Sequence, residues 1–118
     1  MKTKQKTAQE CFHDFLRRML GEYAGDLEIC EQTMVVIGAR KHLAESREFS
    51  LDCWSRMKPE NLAKSLCDRS GFIADRAKEI DGATDRKMLL LGRAMALREI
   101  AWRIREFAGR RKKRACQS

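Results

Sequence analysis

The sequence contains few residues that break a helix and few that favour a strand. It has one proline and seven glycines in 118 residues, and its β-branched residues cluster only at Val35-Val36-Ile37. Strand-rich folds depend on β-branched residues in the strands and on glycine or proline in the turns. Good helix formers such as Leu, Ala, Arg, Lys and Glu dominate instead. We therefore predict an all-α, single-domain helical bundle of about five helices.

Long apolar runs are also absent. No run approaches the roughly 18–20 apolar residues that span a bilayer. The basic N-terminal stretch is followed by a polar and then an amphipathic segment, whereas a secretory signal would have a continuous apolar segment there. The sequence thus predicts a cytoplasmic protein that makes no contact with a membrane.

Signatures of metal binding and catalysis are missing as well. The five cysteines are odd in number and irregularly spaced without a CxxC pair, so we expect reduced, mostly buried thiols rather than disulfides. Cys11 and His13 form the only close Cys/His pair, and on a helix they point to different faces. No HExxH, GxxxxGK[ST] or GxGxxG motif occurs. We expect no metal, no cofactor, no small-molecule substrate and no enzymatic activity.

Apolar periodicity and capping residues place the predicted helices. Thr7 and Glu10 have the spacing of a capping box at the first helix, and Asp26 is a candidate cap of the second. Gly38 lies inside the pattern of the second helix, where we expect a close contact with another helix. We expect a helical domain over residues 1–109 and a basic, disordered tail over residues 110–118. The predicted helices are Ala8–Tyr23, Leu27–Leu43, Leu51–Met57, Pro59–Arg69, Phe72–Ile80 and a last one from about Thr84 or Asp85 to Ala108 or further.

Positive charge is concentrated in the last third of the chain. Residues 86–114 hold 11 Lys/Arg and two acids, a net charge of +9, whereas the rest holds 14 basic and 15 acidic residues, a net charge of −1. Such a separation favours an anionic partner, and nucleic-acid phosphate is the partner we expect. The alternative is a solvated helix face with a solubilising tail. The predicted phosphate contacts in this segment are Arg103, Arg105, Arg110, Arg111, Lys112, Lys113 and Arg114.

The last helix carries two apolar strips. The broader one runs from Leu90 to Ala108 and is suited to the core. A narrower one, separated from it by arginines, consists of Leu91, Met95 and Trp102. A helix with one core face does not need a second strip, so we predict that these residues contact a protein partner or a second copy of the chain. The alternative is that both strips are core.

The segment Pro59–Lys78 has the pattern of two short helices joined by a Ser-Gly turn. In a helix-turn-helix the second helix projects side chains into the major groove, and Arg69, Arg76 and Lys78 would make such contacts here. Any helical hairpin shows the same pattern, and nearby acidic residues disfavour an approach to phosphate.

Part of the same region resembles the FlhD-type small helical transcriptional regulators. The resemblance rests on Met57-Lys58-Pro59-Glu60-Asn61-Leu62, followed by Ser70-Gly71-Phe72-Ile73 and by Arg76. It implies a DNA-binding regulator that pairs with a second subunit, and it covers residues 51–76.

These features together predict a small nucleic-acid-associated regulatory protein, either a DNA-binding transcriptional regulator or a subunit of one. The alternative is a helical adaptor or inhibitor that binds another protein through the narrow strip and does not contact nucleic acid.

Overall fold

The computed structural model consists of α-helices joined by short connections. It describes the backbone of residues 6–49 and 51–117 and the side chains of residues 6–45 and 51–110. No strand occurs within these residues, so the predicted all-α bundle of about five helices is confirmed. None of the described helices is long and apolar enough to cross a membrane. The helices are α1 (Ala8–Ile29), α2 (Met34–Phe49), α3 (Leu51–Ser55), α4 (Pro59–Lys78) and α5 (Asp85–Gln117).

The predicted capping box starts α1 at the expected residue. The Thr7 hydroxyl accepts a hydrogen bond from the Glu10 backbone N–H at 3.1 Å and donates one to the Glu10 carboxylate at 3.2 Å. The helix then passes through Gly21 and Gly25, where we expected it to end. It does so because Leu27, predicted as the start of the second helix, extends the buried face of α1 by one more turn.

The second helix consequently begins later than predicted. It starts at Met34, where the Thr33 hydroxyl accepts a hydrogen bond from the Val36 N–H at 3.3 Å. Asp26, the predicted cap, lies inside α1 instead.

The segment Pro59–Lys78 is one continuous helix, so the predicted turn at Ser70-Gly71 is wrong. Ser70 is buried, and its hydroxyl donates a hydrogen bond to the Ala94 carbonyl oxygen at 2.6 Å. This bond satisfies the serine within the helix and joins α4 to α5. A glycine inside a helix costs only about 1 kcal/mol relative to alanine, which packing against α5 readily offsets. The segment therefore has no separate recognition helix, and the helix-turn-helix prediction is wrong.

Helices α2 and α5 cross in direct backbone contact. A Cβ atom at Gly38 would lie 2.4 Å from the carbonyl oxygen of Leu89, and one at Gly92 would lie 2.0 Å from that of Val35. Both distances are far inside van der Waals contact, so only glycine fits at either position. The close contact predicted at Gly38 is confirmed.

The core lies between one face of α5 and the helices α1, α2 and α4. The ring centroids of Phe15 and Phe107 are 4.3 Å apart, which extends the packing between α1 and α5. The largest fully buried side chains are Phe12, Leu16, Leu20, Leu43, Leu62, Leu97, Ile100 and Ile104.

The thiols are less buried than expected. Cys11 and Cys67 are partly buried, whereas Cys30 and Cys53 are exposed; none of these four is in a disulfide. The fifth cysteine, Cys116, lies outside the described side chains.

Candidate nucleic-acid interface

Helix α5 has an inner face in the core and an outer face toward solvent. At about 100° per residue, Leu97, Ile100 and Ile104 point to one side, and all three are buried. Trp102 and Met95 point to the opposite side. We call Leu91, Met95 and Trp102 the outer strip.

The outer strip lies outside the core. Trp102 is 55% exposed, Met95 is 38% exposed and Leu91 is partly buried. The alternative that both apolar strips of the helix are core therefore does not hold. The described part of the chain does not cover Met95 and Trp102, so both are open to contact with another molecule.

Two exposed arginines lie beside Trp102 on the outer face. Arg98 precedes it by four residues and Arg105 follows it by three, so all three side chains leave the helix on the same side. Among the described residues, neither arginine forms an ion pair. Arg105 was among the predicted phosphate contacts. Arg98 was missed, and its position one turn from Trp102 was the signal that could have found it.

Arg103 lies on another side of α5 and is occupied within the chain. Its guanidinium donates a hydrogen bond to Glu99 at 2.9 Å and another to Asp26 at 3.3 Å. The same group lies 4.9 Å from the ring centroid of Tyr23, and the arginine side chain is only 23% exposed. These contacts join α1 to α5, so we leave Arg103 out of the proposed contact surface.

The basic C-terminal segment continues α5 beyond its core contacts. Ala108 is the last buried residue of the described side chains, and the helix runs on from there to Gln117. Nine more residues add about 13 Å of helix. Arg110 is exposed and lies 4.0 Å from Glu106. The predicted contacts Arg111, Lys112, Lys113 and Arg114 are on this helical backbone, and their side chains lie outside the described residues.

A groove between α1 and α5 adds a cation that the sequence did not indicate. Arg18 of α1 lines it opposite Trp102 and Arg110, and Glu22 and Glu106 also line it. Periodicity within one helix cannot reveal such a neighbour, because the contact depends on how the two helices pack.

The three cations predicted on α4 do not share one face. Arg69 and Arg76 are seven residues apart, and two helical turns place them on the same side. The Arg76 guanidinium lies 5.7 Å from the ring centroid of Phe72. Lys78 lies on the other side of the helix, with its Nζ atom 3.8 Å from the Asp75 carboxylate.

Nothing in the described part of the chain resembles a metal centre, since no three His, Cys, Asp or Glu side chains are grouped to hold an ion.

No family model matches the chain, and comparisons with curated proteins and with solved structures find no significant match. Evidence for a nucleic-acid contact therefore comes from the geometry and charge of this chain.

Proposed function

We propose that this chain is a small nucleic-acid-associated regulatory protein that binds the phosphate backbone through α5. The separation of charge supports this proposal most strongly: residues 86–114 carry +9 and the rest of the chain −1. A concentrated positive field attracts polyanions and raises the rate at which they associate.

The contacts we propose are non-specific. The exposed Arg98, Arg105 and Arg110, with the basic residues 111–114 on the helical extension, neutralise phosphates and release counterions. Such contacts position a protein but do not read bases. The continuity of α4 is in keeping with this, because Arg69, Arg76 and Lys78 are not presented by a separate recognition helix.

Trp102 gives the surface a preference for single strands. Proteins that bind single-stranded nucleic acid combine cations along the backbone with exposed aromatic rings on which bases stack. Trp102 is 55% exposed and has Arg98 and Arg105 within one turn on either side. A duplex keeps its bases stacked internally and would use the cations alone.

The test is the affinity for a single-stranded oligonucleotide and for its duplex over a range of salt concentrations. We expect affinity to fall by orders of magnitude from low to moderate salt. The plot of log K against log[salt] has a negative slope. Removing residues 110–118 should make this slope shallower by about 3 to 4 for single strands if all five cations contact phosphate. A truncated chain that binds unchanged would refute the role of this segment.

The outer face is tested by a matched pair of variants. Arg98→Gln/Arg105→Gln should weaken oligonucleotide binding about tenfold or more. The control Arg17→Gln/Arg40→Gln removes the same charge from exposed sites on α1 and α2 and should weaken binding less. If both double variants weaken binding equally, net charge alone governs the affinity and α5 is not the contact surface.

The regulatory part of the proposal rests on the FlhD-like residues between 51 and 76, which suggest a DNA-binding transcriptional regulator or a subunit of one. A partner subunit would suit the outer strip.

A second candidate function is supported by Leu91 and Met95. These side chains form no hydrogen bond or ion pair with a phosphate, yet they continue the strip that Trp102 begins. A helical adaptor or inhibitor would place the strip against another protein, and the charges would steer its approach. Truncation at residue 109 and Trp102→Ala separate the two functions. Nucleic-acid binding predicts that both changes weaken retention of nucleic acid from a lysate. The adaptor predicts that Trp102→Ala alone removes a protein that is retained after nuclease treatment.

A further inference from the structure

A cleft of about 390 Å³ lies between α2 and α5, on the side of α5 away from the outer strip. It starts at the glycine crossing, where Gly38 of α2 touches Leu89 of α5. From there the two helices diverge. The residues that line the cleft are Gly38, Lys41, His42 and Glu45 of α2 and Arg86, Leu89, Leu90 and Arg93 of α5.

The cations around this cleft have no ion-pair partners among the described residues. Lys41, Arg86 and Arg93 line it, and Arg69 of α4 is close enough to act on the His42 ring electrostatically. The only carboxylate in the lining is Glu45, 3.9 Å from the His42 ring. Like charges gathered in this way repel one another unless an anion lies between them.

Three buried polar atoms at the cleft, two on His42 and one on the partly buried Arg93, lack hydrogen-bond partners in the described structure. His42 is 8% exposed, and neither ring nitrogen has a hydrogen-bond partner in the described structure. The buried Nε of Arg93 also lacks one. Buried polar groups are nearly always paired, so an unpaired one indicates a partner outside the described chain, such as a water, an ion or a ligand.

We propose that this cleft binds a small organic phosphate, with the phosphate among the cations and its apolar body on Leu89 and Leu90. Guanidinium groups suit this role because their planar donors match phosphate oxygens in bidentate fashion. Arg86 and Arg93 are two helical turns apart on α5, and Lys41 faces them from α2. The ligand is a small phosphate monoester rather than a longer polyanion because Lys41, Arg86 and Arg93 line one cavity of about 390 Å³.

His42 reports on this site. Its burial lowers the pKa of the ring, the nearby Arg93 and Arg69 lower it further, and Glu45 opposes them. Lys41 of α2 and Arg86 of α5 also line the cleft. A phosphate dianion among these cations would offset their field, so binding should raise the pKa of His42.

Phenyl phosphate, inorganic phosphate and phenol are suitable probes for an NMR titration of the full chain. We expect phenyl phosphate to shift the amide signals of Gly38, Leu89 and Leu90 in a saturable way and to raise the pKa of His42. It should bind at least about tenfold more tightly than inorganic phosphate, and phenol should not bind. If phenol binds and neither phosphate does, the anion site is refuted. If phenyl phosphate and inorganic phosphate bind with equal affinity, the apolar subsite is refuted.

Arg86→Gln and Arg93→Gln test the cations, with Arg17→Gln at an exposed position of α1 as the matched control. Each cleft variant should weaken phenyl phosphate binding about tenfold, and the control should leave it unchanged. Arg86 is exposed, so its variant keeps the test valid if Arg93→Gln destabilises the fold. Equal loss in all three variants, or no saturable shift at the cleft amides, would overturn the proposal. Neither result bears on oligonucleotide binding at the outer face.

Discussion

The two faces of α5 are built from different residues for different purposes. The inner face has small residues where α5 touches other helices. Gly92 lies against Val35 of α2, and the side chains of Ala94, Ala96 and Ala101 are buried. The outer face carries a large aromatic ring and long cations, none of which the fold requires. The residues that pack the core and the residues proposed to bind nucleic acid therefore lie on opposite faces of this helix.

The largest expected effect is a substitution on the inner face. In Gly92→Ala the new Cβ would lie 2.0 Å from a backbone oxygen of Val35, so α2 and α5 must move apart. We expect a loss of at least about 3 kcal/mol in the free energy of unfolding, measured by urea denaturation. As the control, Gly71→Ala meets no atom within 4 Å and should stabilise α4 by about 0.5–1 kcal/mol. Equal behaviour of the two variants would contradict the crossing.

The next largest effect concerns binding rather than stability. Removing residues 110–118 takes away five consecutive cations that follow the last buried residue, Ala108. We expect oligonucleotide affinity at low salt to fall about a hundredfold or more, with the urea midpoint of the rest unchanged. A truncated chain that unfolds more readily would show that this segment belongs to the core.

A smaller loss of stability is expected for Ser70→Ala. The variant removes the hydroxyl that joins α4 to the Ala94 carbonyl oxygen on α5, and a bond of this kind contributes about 1 kcal/mol. Ser65→Ala, at an exposed position of the same helix, should change the free energy of unfolding by less than about 0.5 kcal/mol. A Ser70 variant as stable as the Ser65 variant would mean that the joint between the helices is apolar.

The pH dependence of stability distinguishes the cleft from the outer face. The pKa of His42 is lower in the folded chain than the ordinary histidine value of 6.5 because the ring is buried, so the unfolded chain binds more protons just below that pH. The free energy of unfolding should keep its full value above about pH 6.5. It should fall as the pH drops from there toward the lowered pKa of His42. Urea denaturation of the wild type and of His42→Gln measures this, and the variant should lose that part of the slope. An unchanged slope would mean that His42 is not the group responsible.

The smallest expected effect on stability is that of Trp102→Ala. More than half of the side chain is exposed, so the free energy of unfolding should change by less than about 1 kcal/mol. The same variant should weaken binding of single strands more than of duplex, because only the former stacks bases on the ring. A large loss in the free energy of unfolding would place Trp102 in the core. The outer face would then not be a contact surface.

Much of the fold could be predicted from local sequence. The capping box at Thr7 and the position of Pro59 at the start of α4 depend on neighbouring residues, and both predictions are confirmed. The turn at Ser70-Gly71 was predicted wrongly because the bond that keeps the helix continuous comes from Ala94, 24 residues away.

The candidate site was only partly predictable for the same reason. The exposed strip on α5 follows from helical periodicity and could be read directly. Arg103 appears equivalent to Arg105 in sequence, but Asp26 on another helix pairs with it. The cleft at His42 depends on how α2 and α5 pack against each other, and no periodicity within one helix encodes that arrangement.

The central claim is that nucleic acid contacts the outer face of α5. Backbone-amide NMR of the full chain, titrated with a short single-stranded oligonucleotide, tests it most directly. The account predicts shifts concentrated at Met95, Arg98, Trp102 and Arg105 and along residues 109–114, with the signals of Gly38 and Gly92 unchanged. Shifts concentrated on α4 around Arg69 and Arg76, or no shifts at low salt, would contradict it.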